Sequence, residues 1–232
     1  MCWSEGASLA MVGVGAVATV VTWKRGDPPA IPITLAFFAA MEALQFWGYQ
    51  TIDQCELPGN QASALLSYVH IALQPLFINA FGMALVGGVS ARMWKTIMGL
   101  TTVVSLLLLM RMLPIAFIGP CVPGTTLCGP QWCTLSGAWH LAWDMPLSDF
   151  AGRFGGDVFR HWLPFPDYLI AVFVFPMIYG AWRFALVHAA LGPILAATLA
   201  GSPNEMPAIW CLFSVGLVLI SLTPWVRRTV TG

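Results

Sequence analysis

Charge is scarce in this chain: Asp, Glu, Lys and Arg make up 9% of its 232 residues, where a soluble domain carries about a quarter. That deficit excludes an ordinary water-facing surface. The net charge is +0, so no nucleic acid or other polyanionic partner is expected. Lysine is nearly missing. Lys24 and Lys95 stand at the ends of apolar runs, and covalent retinal is disfavoured because a Schiff base needs a lysine within a span. Only four histidines occur, with no His-Glu-x-x-His spacing, which removes the dense zinc-hydrolase signature. No basic stretch precedes the first apolar run, so a cleavable signal peptide is not expected. Neither an internal repeat nor a low-complexity tail is present, and residues 1–232 read as a single polytopic domain.

What is abundant is apolar surface. Hydrophobic residues reach 58%, with eleven Trp and fourteen Phe. A membrane-crossing helix needs about 20 mostly apolar residues. Seven stretches qualify, at 7–23, 31–50, 62–89, 97–118, 168–181, 183–200 and 207–226. The fifth is short, and a single broken helix in place of the fifth and sixth would leave six. With the N-terminus outside, Lys24, Arg25, Arg92, Lys95, Arg183, Arg227 and Arg228 all fall on the cytoplasmic side, as the positive-inside rule requires. Opposite them lie Asp53, Glu56, Asp144, Asp149, Asp157, Asp167 and Glu205, with Arg153 and Arg160. The expected fold is therefore an all-α bundle of seven transmembrane helices with a cytoplasmic C-terminus, in the plasma (inner) membrane. The lipid bilayer is its first partner. Small residues at 13–15 and 87–88 suit close helix packing, within the chain, in a homo-oligomer or in a larger membrane complex. Residues 119–166 form a long outer loop, in which 139–147 is expected to be a short interfacial helix.

All six cysteines fall on the outer side, where disulfides persist. Cys55, Cys121, Cys128 and Cys133 are expected to form two bridges, in one of three pairings. A metal site built from these cysteines with His140 or His161 is the alternative reading. Cys2 becomes a thiol beside a free α-amine if the initiator Met is removed, a potential nucleophile or chelate; otherwise it is a buried thiol or a partner for Cys211.

Ionisable groups at membrane depth are costly and mark functional candidates. Glu42 lies near the middle of the second span, with Gln45 three residues on. His70 shares a stripe with Ser67 and Gln74, and Pro75 frees a carbonyl beside it. Matched depth suggests a Glu42–His70 pair lining one polar cavity. Arg111, in the outer part of the fourth span, either neutralises Glu42 or reaches the outer headgroups. His188 precedes a Gly192-Pro193 kink, and Glu205 sits in a turn that can cap the last helix.

The opening Met1-Cys2-Trp3-Ser4 with Ala7-Ser8 resembles an uncharacterised family of multi-pass membrane proteins that begin Met-Cys-Phe/Trp-Ser. Glu42 with Gln45 and Trp47, His70 with Gln74-Pro75, and Cys128-Gly129-Pro130 with Trp132-Cys133 carry the resemblance further. So do Trp139-His140-Leu141-Ala142-Trp143, His188 with Gly192-Pro193, and Asn204-Glu205 with Pro207-Ala208 and Trp210-Cys211. The resemblance implies that Cys2, Glu42, His70, His188 and Glu205 are shared positions. It brings no established activity and no cofactor.

Three functional readings follow. The first is a small-ligand or ion site at Glu42, His70 and Gln74, serving transport or sensing; opsin-like and receptor-like bundles share the architecture, which assigns no chemistry. The second is a membrane-embedded hydrolase or metalloenzyme using Cys2 with His and Glu residues. The third is a non-catalytic subunit of a membrane complex.

Overall fold

The computed structural model describes residues 3–162 and 164–231. Four long helices open the chain: α1 (Glu5–Lys24), α2 (Ala30–Gln50), α3 (Pro58–Val86) and α4 (Ala91–Met110). Their ends follow local chemistry. Ser4 and Ser90 cap α1 and α4 by accepting the Ala7 and Met93 N–H groups, which satisfies donors that the first helical turn leaves over. Pro58 fits the first turn of α3, where its missing N–H costs nothing. Gly87, at φ 63°, ends that helix in a conformation that excludes most side chains.

Helix α4 begins six residues before the expected span and stops at Met110. Pro114 lies just beyond, and the residue before a proline is pushed out of helical geometry. A second correction concerns residues 139–147. They form no helix. Leu141–Asp144 (β2) pairs antiparallel with Cys133–Ser136 (β1), so an all-α description omits one small hairpin. Three of the four residues in β2 are buried, so the period-2 alternation that identifies a half-exposed strand is missing.

After the hairpin come α5 (Phe150–His161), α6 (Pro166–Ile178), α7 (Trp182–Leu199), α8 (Met206–Leu222) and α9 (Pro224–Val230). Helices α1, α2, α3, α4 and α7 are long and apolar enough to cross a membrane. The number rises to seven if α5–α6, bent by 72°, and α8–α9, bent by 107°, each count as one span.

Both α6 and α7 contain a π-helical stretch, Ile170–Val174 and Ala190–Ile194. Proline explains both, since Pro176 and Pro193 cannot donate to a helical ladder and their rings crowd the preceding turn. The Ala171 carbonyl, whose partner five residues on would be Pro176, accepts instead from Asn79 Nδ2 at 2.9 Å. One buried amide thereby couples α3 to the widened turn of α6.

The chain's two ends of charge stay apart. Asp27 between α1 and α2 binds Arg25 and Arg227, Arg25 also donates to the Ser221 carbonyl, and Arg183 donates to that of Thr229. At the opposite end the hairpin is bolted to the α2–α3 loop and the first turn of α3. Asn60 exchanges hydrogen bonds with both backbone groups of Thr134, and Asp53 accepts from Ser136. The disulfides are Cys55–Cys133 and Cys121–Cys128. All four expected cysteines are thus engaged, which leaves none for a metal.

Candidate functional site

Glu42 and His70 are both buried, yet they do not pair. Glu42 Oε1 accepts from Ser214 Oγ at 3.2 Å, while Oε2 has no partner among the described residues. The gap beside it, about 10 Å³, is walled by α1, α2 and α8 and does not include His70; it has room for about one water. His70 instead donates from Nε2 to the Phe37 carbonyl at 2.8 Å and stacks on the Phe37 ring at 3.7 Å. The expected shared polar cavity is therefore not formed. Depth along two neighbouring helices was matched, but the rotation of α2 turns Phe37, not Glu42, toward the imidazole.

The other candidates separate too. His188 Nε2 accepts from Trp210 Nε1 at 2.9 Å, and its ring stacks on Phe213 at 4.0 Å. Gln45 reaches only the Ala208 carbonyl, at 3.5 Å. Arg111 meets neither Glu42 nor the surface. Because α4 ends one residue earlier, its guanidinium turns to the start of α6, bonding Asp167 at 2.7 Å and lying over the Phe165 ring at 4.5 Å. Cys2 lies outside the described residues. Cys211 is buried and forms no disulfide among the described residues. Among those residues, no group of three His, Cys, Asp or Glu side chains could hold a metal ion, so Glu42, His70 and His188 do not assemble a metal centre.

Glu205 is fully buried, and its carboxylate is occupied by backbone. Its oxygens accept N–H groups from Ala138, Trp139, His140 and Gly201 at 2.5–3.2 Å. Burial raises its pKa, but those four donors outweigh that and hold it below the usual carboxylate range. It is an anchor for the hairpin turn rather than a ligand group. His140, in the same turn, accepts at Nδ1 from its neighbour Leu141 N–H and from Tyr49 O–H. Burial pushes its pKa down to about 3.

Gln74 is the candidate that faces the apolar space between α3 and α6. It borders a cavity of about 190 Å³ beneath the loop at 119–166. Helix α3 contributes Tyr68, Ile71 and Gln74, α4 gives Leu108, and the loop gives Leu127. Phe165 and Tyr168 close one side, Pro193 and Trp210 the other. The lining is almost wholly apolar. Its polar groups are already engaged in part: Tyr68 O–H donates to the Leu108 carbonyl, and Tyr168 O–H to Gln74 Oε1 at 2.5 Å. Gln74 Nε2 has only the Cys211 sulfur, at 4.0 Å.

Two backbone features converge on this cavity. Leu127 and Phe165 hold positive φ angles of 63° and 55°, uncommon for any residue with a side chain and costly for bulky ones. Such strain is held in place by surrounding structure and clusters at functional sites. The π stretches of α6 and α7 also adjoin it, through Leu169 just before one and Pro193 within the other; π-bulges concentrate at functional sites. Tyr168, Leu127 and Phe165 were not marked by sequence reasoning, and Trp210 stood only within a motif that carries the resemblance. Gln74 and Tyr168 are 94 positions apart, and one sequence holds no signal that pairs them.

The chain belongs to DUF5765, a family of unknown function, over residues 6–231, in keeping with the resemblance to an uncharacterised family. No curated protein and no solved structure matches it.

Proposed function

We propose that this member of DUF5765 is a seven-span protein of the plasma membrane, N-terminus outside, that binds a small, largely apolar molecule in the Gln74 cavity for transport or sensing. Several features support the membrane frame. Large apolar side chains such as Val17, Val20, Val103, Leu106, Leu186 and Ile194 are exposed, a surface that only lipid or a partner would cover. Exposed Trp23, Trp94, Trp182 and Trp225 each stand within two positions of Lys24, Arg92, Arg183 or Arg227. That pairing suits an interfacial aromatic belt on the positive side.

The observation that carries the ligand reading is the cavity itself, with strained walls and one amide whose donor lacks a good partner. An apolar cavity of about 150 Å³ stays dry and takes up benzene. One of 190 Å³ suits a molecule with the bulk of one ring or a short chain. Gln74 would offer it a hydrogen bond, and no charged side chain among the described residues lines the main cavity. Glu42 and His70 then serve as internal hydrogen-bonding groups that hold α1, α2, α3 and α8 together.

Native mass spectrometry of protein released gently from its own membrane tests this. Wild type is expected to retain a small non-phospholipid molecule, and Ile71→Trp, which fills the cavity, to lose it while keeping the wild-type thermal midpoint within a few degrees. If wild type carries only phospholipid or a partner protein, and Ile71→Trp carries the same, the ligand reading fails and the subunit reading replaces it.

A further inference from the structure

A second, smaller cavity of about 30 Å³ lies next to the first, and the two share Thr126, Pro164 and Phe165 as lining. Its character is different. Arg111, Ser148, Asp149 and Arg160 bring polar groups to it. Most of these are committed. Arg160 holds Asp149 through Nε and Nη2, at 3.0 and 2.7 Å, and Asp157 through Nη1 at 2.7 Å. Asp149 also accepts the Gly152 N–H, and Ser148 Oγ donates to the Leu113 carbonyl at 2.6 Å.

Arg111 is not fully committed. It is 6% exposed, and one nitrogen, Nη2, serves Asp167. Its Nε is buried with no hydrogen-bond partner among the described residues. A guanidinium offers five donors in a rigid fork, and a buried unpaired donor costs about 1–3 kcal/mol. The Phe165 ring beneath it belongs to both cavities, and the strained φ of that same residue fixes where the ring stands. Arg160 has Nε, Nη1 and Nη2 all engaged, so the Nε of Arg111 is the guanidinium donor left for a newcomer.

We infer that the two cavities form one site for a carboxylate-bearing amphiphile, its apolar body beside Gln74 and its carboxylate on Arg111 Nε. The inference rests on the ligand reading above and deepens it by naming the polar end. The larger cavity accepts bulk without charge. The smaller has room for a carboxylate group and little more. Asp167 keeps Nη2, so the guanidinium bridges a resident and an incoming carboxylate, and the Phe165 ring is the partition that gives way.

Titration calorimetry on the full chain in nanodiscs, with empty nanodiscs subtracted, provides the test, with octanoate and octan-1-ol as probes. Octanoate is expected to bind saturably and at least tenfold more tightly than octan-1-ol, because the charge-assisted bonds to Arg111 are lost with the alcohol. The double variant Arg111→Gln/Asp167→Asn removes the ion pair as a unit, so neither charge is stranded. It is expected to equalise the two probes at the affinity of octan-1-ol. Equal binding of both probes to wild type overturns the carboxylate inference but leaves the cavity reading intact. If neither probe gives saturable binding that Ile71→Trp abolishes, the cavity reading fails as well. A double variant that keeps the full preference for octanoate overturns the role of Arg111.

Discussion

Removing the Cys55–Cys133 bridge is expected to cost roughly twice the stability lost with Cys121–Cys128. The two bridges differ most in the chain they close, with sequence separations of 78 and 7. In the chain-entropy account the longer loop is worth about 4.5 kcal/mol and the shorter about 2.4 kcal/mol. Native contacts add to the difference. Cys133 opens the first hairpin strand, next to Thr134, whose backbone Asn60 holds. Losing its bridge loosens the hairpin from the α2–α3 loop. Cys121–Cys128 closes a short turn, the one that carries Thr126 and Leu127 of the Gln74 cavity. Denaturant midpoints of Cys55→Ala/Cys133→Ala and Cys121→Ala/Cys128→Ala, compared in one detergent, measure this. Equal losses would mean that Asn60, Asp53 and Glu205 suffice to seat the hairpin. Rapid labelling of Cys128 by an impermeant maleimide without reductant would remove the oxidised outer loop altogether.

The helices were legible because the signal was redundant. Apart from the second, which stops at Gln50, the long apolar runs end where a cation, a proline or a glycine stands, and the charges sort to alternating ends. The boundaries were legible in part. Ser90 and Pro114 bracket α4 more tightly than hydropathy does, since capping and proline geometry act on single residues while hydropathy averages over many. The hairpin was hidden because its second strand is buried almost throughout and its aromatic residues also suit an interfacial helix. Cysteine sidedness was legible but the pairing was not, because it depends on how the hairpin lands on the α2–α3 loop.

The site divided in a way that depth alone does not reveal. A one-dimensional reading ranks polar residues by how far they lie inside a span, and by that measure Glu42 and His70 are neighbours. Helix rotation decides the rest. His70 meets Phe37, Glu42 meets Ser214, and Gln74, one turn beyond His70, is the member that reaches a cavity. Arg111 was marked for its depth, and its importance comes instead from where α4 stops. Asn79 completes the hydrogen bonding of α6.

Acid is expected to destabilise the outer assembly in two steps, with Glu205 and His140 each owning one. His140 is held neutral in the fold, with its pKa pushed from 6.5 down to about 3. Below 6.5 the unfolded chain therefore binds a proton that the folded chain refuses, and stability falls with pH, by up to about 1.4 kcal/mol per pH unit from this group. Glu205 acts lower. Its folded pKa lies below 4.5, so its contribution is complete above that value and is lost as pH falls through the folded pKa. Asp27, likewise held low against the desolvation that raises it, by Arg25 and Arg227, adds to the lower step, from below 3.8, and leaves the upper one untouched. Glu205→Gln tests the anchor directly at neutral pH. The amide keeps one acceptor oxygen and turns an NH₂ toward N–H groups, so about two charge-assisted bonds are lost, worth about 3–6 kcal/mol together. Denaturation midpoints across pH separate the two groups: His140→Asn is expected to lessen the slope between pH 6.5 and 4.5, and Glu205→Gln to lower the whole curve while flattening its acid end. An unchanged upper slope in His140→Asn would assign that step to another group. A Glu205→Gln protein as stable as wild type at neutral pH would show that the disulfides and Asn60 hold the hairpin without the carboxylate, leaving Glu205 free for the ligand role its position in the sequence first suggested.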